Sequence, residues 1–181
     1  MARLPYFDVA DVPAPLGDVI RSRPRLNLYR VLPHAPEAAL GFLALGRAIL
    51  TQTSLDPGLR EIAILRVGAL CAASYEIHQH RRVAARVGLG DTQIEAVLDL
   101  AGRDGLDARQ RLVAEYTDAV VKQVKAPATL TDRVRSELGD KAWLELLMTI
   151  GYYGLVSRVL ENVEVDIEDG NPLEDTEWRR G

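Results

Sequence analysis

An all-helical fold is predicted for this 181-residue chain. Three observations predict it. Apolar residues recur at spacings of three and four along most of the length. Helix-start signals precede the apolar runs. No alternating, strand-like run of useful length occurs outside Val163 to Ile167.

The elements follow in order. Five prolines (Pro5, Pro13, Pro15, Pro24, Pro33) break up the first 35 residues, so residues 1–35 read as an arm with short helical pieces. Residues 36–162 read as a helical domain. Its first helix opens at Pro36 and runs to Gln52, with Leu40, Leu43 and Leu50 in period. Asp56-Pro57 is the next start signal, an Asp cap followed by Pro in the first turn. From Ile62 to Ala73 the sequence is apolar nearly all round, apart from Arg66, as in a helix buried on most sides. Ser74 to Val87 is a further helix, ended by Gly88 and Gly90. Thr92 and Glu95 have capping-box spacing, and Asp107 with Gln110 forms a looser box. Beyond Pro127 come a short helix over Thr131 to Leu138, a break at Gly139 and a long helix from Asp140 towards Asn162. Residues 163–181, acidic and then mixed with Pro172, read as an extended tail packed on a neighbour.

Composition narrows the class. Apolar residues at 48% suit a globular protein with a sizeable core. A net charge of -4, with scattered Lys and Arg, offers no basic patch for nucleic acid. No apolar run has bilayer length, and the N-terminus lacks a signal-peptide core, so a cytoplasmic location is expected. The single cysteine, Cys71, precludes an intrachain disulfide, and no Cys/His motif suggests a metal site.

The chemistry concentrates between Glu61 and Gly88. On one helix Glu61 aligns with Ile64, Leu65, Gly68 and Ala72. On the next, Glu76, His80, Val83 and Val87 share a stripe with Ile77 and Ala84 beside it. The opposite face carries His78, Arg81, Arg82 and Arg86, with Gln79 at its edge, so His80 is expected inward and His78 outward. Two carboxylates and an imidazole in one apolar pocket would hold each other's protons, which suits general acid–base work. The same pattern also suits a structural network, with a core histidine and a Glu paired to Arg66 or to an arginine of another subunit.

The stretches Arg60 to Val67, Ser74 to His80 and Gly88, together with Ile150-Gly151-Tyr152-Tyr153, resemble the carboxymuconolactone decarboxylase and alkylhydroperoxidase D-like superfamily. The resemblance implies a helical bundle around a buried antiparallel hairpin. It also implies assembly into dimers, trimers or hexamers, with the site near a subunit contact. In the peroxidase branch a Glu precedes a CxxC pair and a His; here they fall, without gaps, on Glu61, Ala73, Glu76 and His80. Both cysteines are therefore missing, and the dithiol cycle has no attacking and resolving thiols. A register shifted by two would make Cys71, Ser74 and His78 the remnant of that motif. It turns His78 towards the arginines and spoils the ungapped match at Glu61, Tyr75, His80 and Gly88.

The thiol-free pattern is similar to the decarboxylase side, which implies cofactor-free acid–base chemistry on a small organic acid or lactone. His80, Glu76 and Glu61 would be the catalytic group. Tyr75 and Tyr152 would meet substrate, and Arg66 or Arg158 would bind its carboxylate. Two other readings stand beside this lyase: a peroxidase working through Cys71, and a non-catalytic ligand-binding oligomer.

Overall fold

The computed structural model describes residues 2–170. These residues divide into two compact units. One comprises the chain up to Gln52 together with the segment from Leu160 onward; the other is Thr53–Val159. The described residues contain no strand, including the stretch from Val163 to Ile167.

In the first unit the proline-rich arm supplies two short α-helices, α1 (Leu16–Arg21) and α2 (Asn27–Val31), with 3-10 turns at Val9–Asp11 and Leu32–His34. α3 (Pro36–Thr51) closes over them. Val12, Leu16 and Ile20 bury against Ala39 and Leu43, with Tyr29 and Phe42 at the margin. The segment after residue 163 was expected to extend towards a neighbour. Through residue 168 it instead lies on the N-terminal arm of its own chain. The Tyr6 hydroxyl meets Asp166 Oδ2 at 3.1 Å, and Asn27 Nδ2 donates to the Asp166 carbonyl at 2.9 Å. The reason is polar satisfaction: the arm's unpaired donors meet acidic acceptors there. Pro172 and the rest of that expected tail lie outside the described residues.

The second unit is built around α4 (Pro57–Leu70), surrounded by α5 (Ser74–Arg86), α6 (Asp91–Leu98) and α7 (Ala108–Gln123). Every residue of α4 from Leu59 to Gly68 is buried, as its all-round apolarity predicts. Asp56 caps α4 by accepting the Leu59 N–H at 3.0 Å. The helix ends at Leu70, earlier than the apolar run suggests. Ala72 turns left-handed at φ 52°, and the Ala73 N–H returns to the Gly68 carbonyl at 2.8 Å. That is a Schellman stop made without glycine, which leaves three residues to reverse the chain into α5. The hairpin is close: a Cβ on Gly68 would lie 3.1 Å from Ile77 Cγ1. α5 stops the same way with glycine, Gly88 at φ 98° and Leu89 N–H on the Ala84 carbonyl at 3.0 Å.

The start of α6 corrects one expectation. Its cap is Gly90, whose N–H is accepted by Gln93 Oε1 at 3.0 Å, rather than Thr92 with Glu95. The extended backbone at Gly90 starts the helix two residues earlier, and Glu95 is left to pair with Arg81 at 2.5 Å. The Asp107–Gln110 box does form, with Asp107 accepting the Gln110 N–H at 2.8 Å and Gln110 accepting that of Asp107 at 3.0 Å. α8 (Ala128–Val163) is broken at Gly139, whose φ of 77° and ψ of 162° are non-helical. Among the described residues no helix is long and apolar enough to cross a membrane.

Candidate active site

The α4–α5 hairpin brings the predicted residues together. Glu61 lies in the second turn of α4, and Glu76 and His80 lie one turn apart on α5. His80 Nδ1 sits 2.6 Å from Glu61 Oε2, and Nε2 sits 3.0 Å from Glu76 Oε1. Both ring nitrogens therefore meet carboxylates, one from each helix. Arg60 Nε adds a third charge contact, 3.2 Å from Glu61 Oε1 in the interior. Two carboxylates, an imidazolium and a guanidinium balance formally to zero, which is how a buried cluster of this size is tolerated.

Exposure is graded across the cluster. The side chain of Glu61 is 0% exposed, that of Glu76 5% and that of His80 10%. Burial alone would lower the His80 pKa. The charges of Glu61 and Glu76, and their hydrogen bonds, outweigh it and raise the value to about 10. The resident form is thus imidazolium. Tyr153 from α8 stands edge-on to the His80 ring, centroids 4.9 Å apart. Burial, then the charges of Glu76 and Glu61, push its phenol well above the usual tyrosine range, so it stays a neutral hydroxyl.

The other expected residues are placed differently. Tyr152 stands edge-on to Tyr153 at 5.3 Å. Tyr75 is buried on α5, one residue before Glu76. Arg66 was expected near a substrate carboxylate, but it is fully buried and committed elsewhere. Its Nε and Nη2 hold Asp118 of α7 at 2.6 and 2.9 Å, and its Nη1 donates to the carbonyls of Val97 and Asp99 at 3.0 and 2.7 Å. Arg103 Nη2 joins Asp118 at 2.5 Å. Burial works to raise the Asp118 pKa, but Arg66, Arg103 and Lys122 hold it below the usual carboxylate range. This network ties α4 to α7 and to the loop after α6. Arg158 bonds the Gly154 carbonyl at 2.6 Å.

On α5 the inward stripe holds at Glu76, His80 and Ala84, but Val87 is exposed at the helix end. His78 is half-buried rather than outward, and Gln79 is buried. Cys71 is half-buried at the C-terminal cap of α4. That is the negative end of the helix dipole, opposite to the end that favours an anion. Among the described residues, no group of three or more His, Cys, Asp or Glu is arranged to hold a metal ion.

Reading from sequence missed Arg60 and Tyr153. Each stood next to a residue already singled out, Glu61 and Tyr152, and only the helix register separates the neighbours.

Comparison with known proteins bears on the fold. Residues 36–119 match the profile of the Carboxymuconolactone decarboxylase family. Over that segment the chain is similar to the carboxymuconolactone decarboxylase family. No curated protein matches it significantly by sequence. Solved structures share the fold. An alkylhydroperoxidase AhpD core, an uncharacterized peroxidase-related protein from Ralstonia eutropha JMP134, superposes with a TM-score of 0.84 at 18% identity over 93% of each chain. An uncharacterized peroxidase-related protein from Silicibacter sp. TM1040 gives 0.74 at 16% identity, over 93% of this chain and 95% of that one. A cysteine-to-alanine variant of the debrominase Bmp8, in complex with 2,3,4-tribromopyrrole, gives 0.78 at 16% identity over 93% and 94%. At these identities the likeness shows the AhpD-like fold. Ala73 and Glu76, the positions where the resemblance would put the peroxidase cysteines, lie respectively just before α5 and against His80 Nε2.

Proposed function

We propose that this chain is a cofactor-free acid–base enzyme of the carboxymuconolactone decarboxylase type, acting on a small organic acid or lactone. One observation carries the reading: a buried imidazole held at both nitrogens by carboxylates from two helices. Glu61, fully enclosed and braced by Arg60, orients the ring through Nδ1. Glu76 and Nε2 form the accessible edge and exchange protons with substrate. In a decarboxylation the bond to the departing carboxylate breaks, carbon dioxide leaves, and the electron pair enters the conjugated remainder. The imidazolium steadies that charge and the His80–Glu76 pair supplies the proton to carbon. Water then restores it. An isomerisation uses the same pair to remove and return one proton. The Tyr153 hydroxyl can donate to a substrate oxygen, with Tyr75 and Tyr152 shaping the surroundings. The working form is a homo-oligomer, a dimer, trimer or hexamer, as the family resemblance implies.

Incubating wild-type protein in deuterium oxide with a panel of small unsaturated lactones and carboxylates, and following deuterium incorporation by NMR, tests this. Exchange or decarboxylation lost in both His80→Gln and Glu76→Gln supports the reading; activity that survives both substitutions refutes it. A single-thiol peroxidase is the alternative, favoured only by the partial exposure of Cys71.

A further inference from the structure

A cavity of about 870 Å³ lies wholly within the first unit, lined by residues of the N-terminal arm, α1 and α2. None of its lining residues belongs to the Glu–His cluster. Its volume falls in the range of small-molecule sites. Among the lining residues four arginines (Arg21, Arg23, Arg25 and Arg30) face one acid, Asp8, whose carboxylate accepts the Ala10 N–H at 2.9 Å, while Asp18, Asp166 and Glu168 touch Arg21, Tyr6 and Asn27 from outside the lining. The lining itself is thus richer in arginine than in acid, in a chain of net charge -4.

Arg21, Arg23 and Arg30 are held largely by neutral acceptors. Arg23 Nη2 donates to the Leu43 carbonyl at 3.0 Å. Arg30 uses Nε on the Phe7 carbonyl at 3.2 Å and Nη1 on Asn27 Oδ1 at 3.0 Å. Arg21 bonds the carbonyls of Val9 and Val12 and shares one nitrogen with Asp18 at 2.7 Å. Neutral acceptors fix a guanidinium without cancelling its charge, so the cavity presents oriented cations. Two are also stacked: Arg30 lies over the Tyr6 ring at 4.7 Å and Arg23 over Tyr29 at 5.6 Å. Ile20 and Leu26 add apolar wall.

We infer that this cavity binds a small aromatic carboxylate. The planar guanidinium fork matches a planar carboxylate in two-pronged fashion, and its faces, like those of the tyrosines, accept a ring. A tetrahedral inorganic anion would use the charge but leave the rings and apolar wall uncovered. The site is independent of the proposed chemistry at His80.

Calorimetric titration of the full-length protein with benzoate tests the inference, with benzamide and inorganic phosphate as comparison probes. Benzoate should bind once per chain; benzamide should bind at least about tenfold more weakly because it lacks the charge-assisted hydrogen bond, worth about 1.5–3 kcal/mol, and phosphate should also bind more weakly because it leaves the rings and apolar wall uncovered. Arg30→Lys, which keeps the charge but loses the fork, should weaken benzoate about tenfold on the same ground. Arg25 is exposed, so Arg25→Gln should fold normally and weaken benzoate severalfold. His80→Gln should leave benzoate binding unchanged. The inference falls if benzoate does not bind to folded wild-type protein, or if phosphate or benzamide matches it. It falls equally if binding survives Arg25→Gln and Arg30→Lys but is lost in His80→Gln.

Discussion

His80 Nδ1 lies 2.6 Å from Glu61 Oε2 across the α4–α5 hairpin, and Glu76 takes the opposite nitrogen at 3.0 Å. The periodicity of the sequence put the three groups together but could not say whether burial or the carboxylates would govern the imidazole. The geometry decides for the carboxylates.

The His80 ring should remain imidazolium well past neutrality, titrating near pH 10. Proton NMR of the ring Cε1–H checks this, and Glu76→Gln should bring the midpoint down. A free-histidine midpoint near 6.5 would refute it.

Stability carries the same signature. The folded pKa is raised, so the contribution of His80 is fully present below about pH 6.5, the unfolded value, and is lost as pH rises towards 10. In that window the folded chain keeps a proton the unfolded chain has released. Urea unfolding should show the gap between wild type and His80→Gln narrowing, by at most about 1.4 kcal/mol per pH unit. A gap constant from pH 6 to 10 would show that folding does not raise the pKa of the ring.

If His80 moves protons on substrate, His80→Ala should lower turnover about a hundred- to ten-thousandfold. His78→Ala should cost little activity, although its half-buried position allows a modest loss of stability. Measuring kcat and unfolding on both variants separates the two effects. A larger loss of kcat from His78→Ala would reverse the assignment of faces.

Peroxide reduction with a dithiol reductant should be weak and nearly unchanged by Cys71→Ser. One thiol forms no internal disulfide, and Ala73 and Glu76 occupy the places of the pair. Strong activity abolished by Cys71→Ser would turn the reading towards the peroxidase.

Arg66→Lys should destabilise the second unit, and Asp118→Asn should do so by about 3–5 kcal/mol, the usual result of leaving a buried charge without its partner. Lysine cannot reproduce contacts to two carboxylate oxygens and two carbonyls. The depressed pKa of Asp118 makes this contribution present above about pH 4 and lost as pH falls through its lower folded value. Urea unfolding checks both variants, and a change below about 1 kcal/mol in Asp118→Asn would contradict a committed ion pair.

Most of the helical order was legible because its signals are local. The Asp56 cap, the Asp107–Gln110 box and the Gly139 break each operate within a few residues. The all-round apolarity of α4 announced its burial. What stayed hidden depended on partners far along the chain. Arg66 looked available until Asp118, 52 residues later, was seen beside it. Tyr153 rather than its neighbour meets His80, a choice of one residue that only packing settles. His78, which periodicity assigns to solvent, is half-buried. The end of α4 was misjudged because a left-handed Ala72 leaves no compositional mark.

Glu61 and Arg66 are five residues apart on α4, so they leave the helix about 140° apart in direction. One bonds α5 and the other α7. Peeling α4 from either neighbour alone would strand a charge in the interior, so the helix has no inexpensive partial opening. Its amide hydrogens should exchange only when the whole unit unfolds. The Glu61 end of the cluster, fully enclosed, should then stay shut off from bulk water during the protein's folded lifetime, which leaves the slightly exposed His80 and Glu76 as its nearest approach to solvent.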